Sequence, residues 1–220
     1  MKKTVIAGAM AVAMIGAGAA QAETGFGIGV KAGTLGMGAE LTKSLTDNIN
    51  GRIGFNTYDF SDSGTEGDID YDIDLEWQST ALLLDWHPWG GTFRLTAGYI
   101  FNGNELKMNA KPSATSTYTV GDTTYAAADI ASLTGNVTFS DGPYVGLGWS
   151  NAGKAGFGFS FELGAVYQGS PDLNLSGECT NVAVCGTFDA ELAKEEQQAQ
   201  ADLDEFKWYP QVAVGVSYGF

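Results

Sequence analysis

Apolar and polar residues alternate with a period of two over several long stretches of the chain. Phe93, Leu95, Ala97, Tyr99 and Phe101 are interleaved with Arg94, Thr96, Gly98, Ile100 and Asn102. Ile69, Tyr71, Ile73, Leu75 and Trp77 are interleaved with Asp70, Asp72, Asp74, Glu76 and Gln78, and Val212, Val214, Val216, Tyr218 and Phe220 with Gln211, Ala213, Gly215, Ser217 and Gly219. A further run from Phe157 to Tyr167 behaves alike. Successive strand side chains point to opposite faces, so each run has one apolar and one polar or small face. A soluble sandwich also alternates, but its strands average about five or six residues and it needs a second sheet against each apolar face. These runs are nine to twelve residues long, the length a tilted strand needs to cross a bilayer. The pattern predicts an all-β, closed antiparallel transmembrane β-barrel.

Alternation sends Lys31, Glu40, Arg52, Arg94 and Glu162 to the interior. These charges form either an ion-pair network that plugs the lumen or a set of solvated side chains near the rims. Glycines at 25, 27, 29, 36, 38, 146 and 148 leave room for them. Short connections at Ser44–Asn50, His87–Gly91, Ser140–Pro143 and Gln168–Pro171 are expected on the periplasmic side. Asp59–Asp68, Lys111–Ala131 and Gly177–Lys207 are expected outside, together with the short turns Gly33-Thr34 and Asn151–Lys154. If Gly33-Thr34 is a turn, about ten strands result: 24–32, 35–43, 50–60, 69–85, 92–110, 131–140, 143–150, 155–167, 172–177 and 208–220. If it is a bulge and 172–177 is not a strand, there are eight. Phe188, Leu192, Ala199, Leu203 and Phe206 recur at helical spacing, which predicts a short amphipathic helix within Thr187–Phe206, with Asp189 and Glu191 in its first turn.

Composition fixes the compartment. Lys2 and Lys3, the apolar stretch Val5 to Ala20 and the A-x-A site Ala20-Gln21-Ala22 predict a cleaved signal peptide over residues 1–22, leaving a barrel domain over 23–220. Loss of the two lysines takes the formal charge from −15 to −17, which excludes a nucleic-acid partner. After residue 22 no apolar run is long enough for a membrane helix. Trp86 and Trp89 flank an expected periplasmic turn, while Tyr58, Trp149 and Trp208 lie near expected outer ends, as two aromatic girdles require.

The final strand ends on Val216, Tyr218 and Phe220, apolar at every second position with a terminal aromatic. This resembles the terminal strand that the barrel-assembly machinery reads in bacterial outer-membrane proteins. With the leader and the alternating runs, the chain resembles the small outer-membrane β-barrels of the OmpA/OmpX-like class over nearly all of residues 23–220, without a periplasmic domain. The resemblance implies residence in the bacterial outer membrane, contact with membrane lipid and lipopolysaccharide, and a monomer.

Three features carry candidate chemistry. The acids Asp68, Asp70, Asp72 and Asp74, within a run from Asp59 to Glu76 that contains no Lys or Arg, are candidates for weakly bound Ca²⁺ or Mg²⁺. They alternate along a strand rather than wrapping an ion, so a solvated acidic row is the default. Cys179 and Cys185, in an exported chain, predict a disulfide within one loop. The single histidine, His87, sits in the turn His87-Pro88-Trp89-Gly90-Gly91 with no nucleophile pattern beside it, and no G-x-S-x-G or phosphate-cradling loop is present. No catalytic residue and no cofactor are assigned. The expected function is a non-enzymatic structural or surface-interaction barrel, with a narrow passive channel for small solutes as the alternative.

Overall fold

The computed structural model describes residues 25–66, 69–112 and 117–220; the expected signal peptide lies outside them. The strands are β1 (Phe26–Gly33), β2 (Gly36–Thr46), β3 (Ile49–Glu66), β4 (Ile69–Trp86), β5 (Phe93–Asn102), β6 (Glu105–Pro112), β7 (Thr117–Val120), β8 (Thr123–Ala126), β9 (Ile130–Thr138), β10 (Gly142–Ser150), β11 (Gly156–Tyr167), β12 (Asp172–Cys179) and β13 (Trp208–Gly219). One helix, α1 (Val182–Leu203), lies between the last two. Pairing runs β4-β3-β2-β1-β13-β11-β10-β5 and returns to β4, an antiparallel ring of eight strands with no free edge.

The strands tilt strongly. One row of paired residues passes Phe26, Lys43, Gly51, Leu84, Ala97, Val145, Ala165 and Pro210 on its way round the ring. The β13–β1 register, with Gly33 opposite Ala213, then carries Pro210 to the level of position 36, ten residues beyond Phe26. Ten residues of stagger over eight strands correspond to a tilt of roughly 40° and an interior just wide enough for side chains.

Ten strands are therefore not observed in the ring, although the Gly33-Thr34 turn is real: Gly33 pairs with Gly36 across Thr34-Leu35. Gly36 takes the left-handed backbone this turn needs (φ 95°). The surplus strands sit outside the ring. Residues 69–76 of β4 pair with β6, β6 pairs with β9, and β9 with β12, so the sheet runs on beyond the rim. The expected strand 92–110 breaks at Gly103-Asn104, where Asn104 Oδ1 accepts from the Gln78 amide at 2.9 Å. Ser140–Pro143 and Gln168–Pro171 are likewise bends between wall and extension, not periplasmic turns. Asn151–Lys154 lies on the same rim as Gly25, Gly219 and the 47–48 and 87–92 turns, so it and Trp149 share the rim expected to be periplasmic, not the one expected outside.

Helix α1 closes the extension. Its sequence signal, Asp189 and Glu191 as first-turn acids, placed the start too late: Asn181 caps the helix by accepting from the Ala183 amide, and the helix begins at Val182. Phe188 and Leu192 pack with Val120, Tyr125 and Ile130 in a core beneath the sheet. Glu196 and Gln200 accept from the Leu175 and Leu173 amides at 2.7 and 2.9 Å, which satisfies the outer edge of β12. A Cys179–Cys185 disulfide ties the first turn of α1 to the end of β12.

Candidate functional site: the barrel lumen

Inward positions on six strands meet in one charged layer. Lys31 on β1, Glu40 on β2, Arg52 on β3, Asp85 on β4, Arg94 on β5 and Glu162 on β11 have side chains only 1–6% exposed. Arg52 is the hub. It reaches Glu40 at 3.0 Å, Asp85 at 3.0 Å and Glu162 at 2.6 Å. Arg94 contacts Asp85 at 3.2 Å and also pairs with Glu162, while Lys31 Nζ lies 3.5 Å from Glu40. Three cations meet three carboxylates, so the layer is formally neutral. Full neutralisation is what allows so many charges inside a narrow, low-dielectric tube.

The five residues singled out from the sequence are thus brought together, and one was missed. Asp85 sits between Leu84 and Trp86, both of which face outward, 55% and 52% exposed. Period-two alternation places Asp85 inside on that signal alone. Thr96 Oγ1 donates to it at 2.7 Å.

An apolar layer lies on the outer side of the charges. Ala81, Leu83, Ile100, Tyr144 and Val166 pack together, with Tyr209 against them. Tyr144 donates to Glu162 Oε1 at 2.8 Å and so joins the layers. Its ring lies across Gly146 and Gly164, where an added Cβ would collide with it; those glycines make room for an aromatic inside the tube. Trp77 and Tyr209 meet edge to face at 5.9 Å nearer the outer mouth.

At the mouth beside the 87–92 turn a polar cavity of about 400 Å³ is lined by Ser44, Asn50, His87, Ser150, Asn151 and neighbours. His87 accepts from Asn50 Nδ2 at Nε2 (3.2 Å) and donates from Nδ1 to the Gly91 carbonyl (2.9 Å). Both ring nitrogens are occupied in holding the turn.

The outward face of β4 changes character along the strand. Leu82, Leu84 and Trp86 face out in the lower half, and Asp72, Asp74 and Glu76 continue the same face above it, while Ile73, Leu75 and Trp77 turn inward. The acids therefore do not line the lumen. The switch marks where the strand leaves the apolar zone. Asp59, Ser61 and Ser63 stand opposite Glu76, Asp74 and Asp72 on β3. Lys107 enters this surface from β6, bridging Glu76 at 3.2 Å and Glu105 at 3.0 Å. Asp68 and the side chain of Asp70 lie outside the described residues; among those described, no group of three metal-type ligands converges.

Below that switch, exposed apolar side chains encircle the wall, among them Ile28, Ile53, Val145, Phe159 and Val214 at 41–78% exposure. Trp86, Trp89 and Trp149 gather at one rim of this outward face and Tyr167 and Trp208 at the other, whereas Tyr58, expected in a girdle, has the inward parity of Arg52 and Asn56 and stands opposite Trp77. The terminal Val216, Tyr218 and Phe220 belong to this outward face, 39–47% exposed. An apolar belt between aromatic girdles around a closed ring is the form of an outer-membrane β-barrel. Two solved structures of this kind align over most of the chain. CarO2 of Acinetobacter baumannii is 22% identical, with a TM-score of 0.56 over 89% of this chain and 98% of that one. CarO of the same organism is 23% identical, with a TM-score of 0.53 over 88% and 97%. A major outer membrane protein from Thermus thermophilus aligns at a TM-score of 0.40 with 15% identity over 89% of this chain and 99% of that one, too distant to add to this. No family model and no curated protein sequence matches. The likeness to the two Acinetobacter proteins establishes the fold, and the role must come from the site.

Proposed function

We propose that the protein is a non-conducting, non-enzymatic barrel of the bacterial outer membrane that acts at the cell surface through its sheet extension. The observation that carries this reading is the filled cross-section: six charged side chains in mutual contact, backed by a packed apolar layer. A solute would have to break buried ion pairs and displace Tyr144, and separating one such partner costs about 3–5 kcal/mol. The extension, by contrast, presents an ordered polar face directly above the apolar belt. Thr134, Asn136 and Thr138 on β9 and Asn174 and Ser176 on β12 continue the row begun by Asp59, Asp72, Asp74 and Glu76. Hydroxyls, amides and carboxylates at that height suit lipopolysaccharide sugars and the Ca²⁺ or Mg²⁺ that bridges its phosphates. Lys107 bridges Glu76 and Glu105 in this row, and weak divalent contact would draw on the same face at Asp74, opposite Ser61. The protein works as a monomer, delivered by the barrel-assembly machinery through its terminal strand.

Swelling of proteoliposomes in small sugars and amino acids tests the reading. Vesicles carrying the protein should swell no faster than empty ones; a solute-dependent increase would establish the channel instead.

A further inference from the structure

The ring has no edge, but the sheet that runs on beyond the rim has two. Its strands follow the order β3-β4-β6-β9-β12. At the β12 end, Glu196 and Gln200 of α1 accept from the Leu175 and Leu173 amides. The other end is the part of β3 beyond Thr57. There β2 stops, with Met37 opposite Thr57, while β4 continues beside β3 as far as Ile69 opposite Glu66. Among the described residues, no strand lies along the other side of this part of β3.

Strand parity shows which groups the edge presents. The carbonyls of Phe55 and Thr57 lie against Gly38 and Gly36 of β2, so the odd-numbered residues of β3 turn their backbone groups to that side. Asp59, Ser61 and Ser63 continue this parity towards the open side. The Ser63 amide donates to the Asp62 side chain at 2.9 Å. The amides and carbonyls of Asp59 and Ser61 are left without a backbone partner among the described residues. The two faces of the edge also differ. Asp59 and Ser61 lie on the outward face, opposite Glu76 and Asp74. Tyr58 and Phe60 lie on the other face, opposite Trp77 and Leu75, and are 43% and 44% exposed.

We propose that this edge receives an extended segment of a partner protein, added antiparallel to β3 and alternating basic with apolar residues. Unpaired groups along an edge are a template for another strand. Every pair already in the extension is antiparallel. In such a pair, residues that bond directly across share a face. The segment's residues that bond Asp59 and Ser61 therefore set their side chains beside Asp59 and Asp74, where lysine or arginine is complementary. The intervening residues fall beside Tyr58 and Phe60, where apolar side chains bury area. A second copy of β3 would instead oppose acid to acid, because the chain from Asp59 to Glu76 carries eight carboxylates and no Lys or Arg. The inference goes beyond the lipopolysaccharide contact and rests on the reading that the extension acts above the membrane.

The test uses the full mature protein folded in mild detergent and a short, end-blocked, fluorescent peptide of alternating lysine and valine, read by anisotropy. The peptide should bind the wild type. Methylating its lysine amides removes the donors that face β3 and should weaken binding about tenfold or more; methylating its valine amides, which face away, should leave binding unchanged. Ser61→Pro removes a donor on the protein side, at a position an edge strand tolerates, and should weaken binding to a similar extent. The gel shift between boiled and unboiled samples, recorded for both proteins, shows that each is folded, and the methylated peptides decide the question on the unaltered protein. Equal binding of the two methylated peptides, or no binding to a wild type that shows the shift, overturns the proposal. So does a dimer that Ser61→Pro dissolves, which would make a second copy the occupant. Vesicle swelling reads the lumen and not this edge, so failure of the non-conducting reading is seen separately.

Discussion

Arg94→Met isolates the contribution of the lumen network. Arg94 is 1% exposed and contacts Asp85 and Glu162, so the substitution leaves a tube with two cations and three carboxylates. Removing one partner of a buried pair costs about 3–5 kcal/mol because the other is stranded. At about 2–4 °C per kcal/mol for a chain of about 200 residues, the folded form should melt roughly 6–20 °C lower. The assay follows the fast-migrating gel species on heating, alongside far-ultraviolet circular dichroism in the same detergent. Arg94→Met/Asp85→Asn restores charge balance and keeps the Lys31–Glu40–Arg52–Glu162 chain. It should recover more than half of the loss, as residues in one network couple. A single variant melting within about 2 °C of wild type, or a double variant showing the sum of the two single losses, would refute the reasoning.

Deleting Phe220 should lower outer-membrane levels sharply while export to the periplasm continues, read by immunoblot of cell fractions; unchanged levels would mean the terminal strand is not read as proposed. Glu196→Ala/Gln200→Ala should speed amide exchange at Leu173 and Leu175 by about tenfold as the β12 edge loses its acceptors, with the Leu147 amide in the wall unchanged. The pairing of α1 with the β7–β8 turn should weaken in acid. A hydrogen bond from Lys194 holds the Asp122 carboxyl below the usual carboxylate range and raises Lys194. The contribution is therefore present above an ordinary aspartate pKa of about 4 and lost as pH falls through the lowered value. Protection of the Gly121 and Asp122 amides, which donate to Glu195 and Glu191, relative to the intrinsic exchange rate at each pH should fall below about pH 4 at low salt; the effect is small because both charges are exposed and screened.

Period-two alternation was enough to read the wall strands and to place five of the six charges that meet in the lumen, because a strand's parity is set by its pleat and not by its surroundings. The same property hid the ring size. β9 and β12 alternate as wall strands do, since one face packs under α1 and the other carries polar residues, and β6 continues the same pleat beside β9. A finer signal was available in the outward positions of β4, which change from Leu82 and Leu84 to Glu76 and Asp74 around Thr80 and Gln78. Reading face by face, rather than run by run, would have ended the membrane segment there and assigned Asp85 to the lumen. Lys107 meeting Glu76 and Glu105 was not legible, because their partnership depends on the β4–β6 register.

The filled lumen is the centre of the account, and single-channel recording in planar bilayers tests it most directly. The wild type should insert without conducting, while Arg52→Ala/Arg94→Ala/Tyr144→Ala, which removes the hub, its neighbour and the aromatic that joins the layers, should produce resolved conductance steps. Steps from the wild type, or a triple variant that inserts and stays silent, would contradict it.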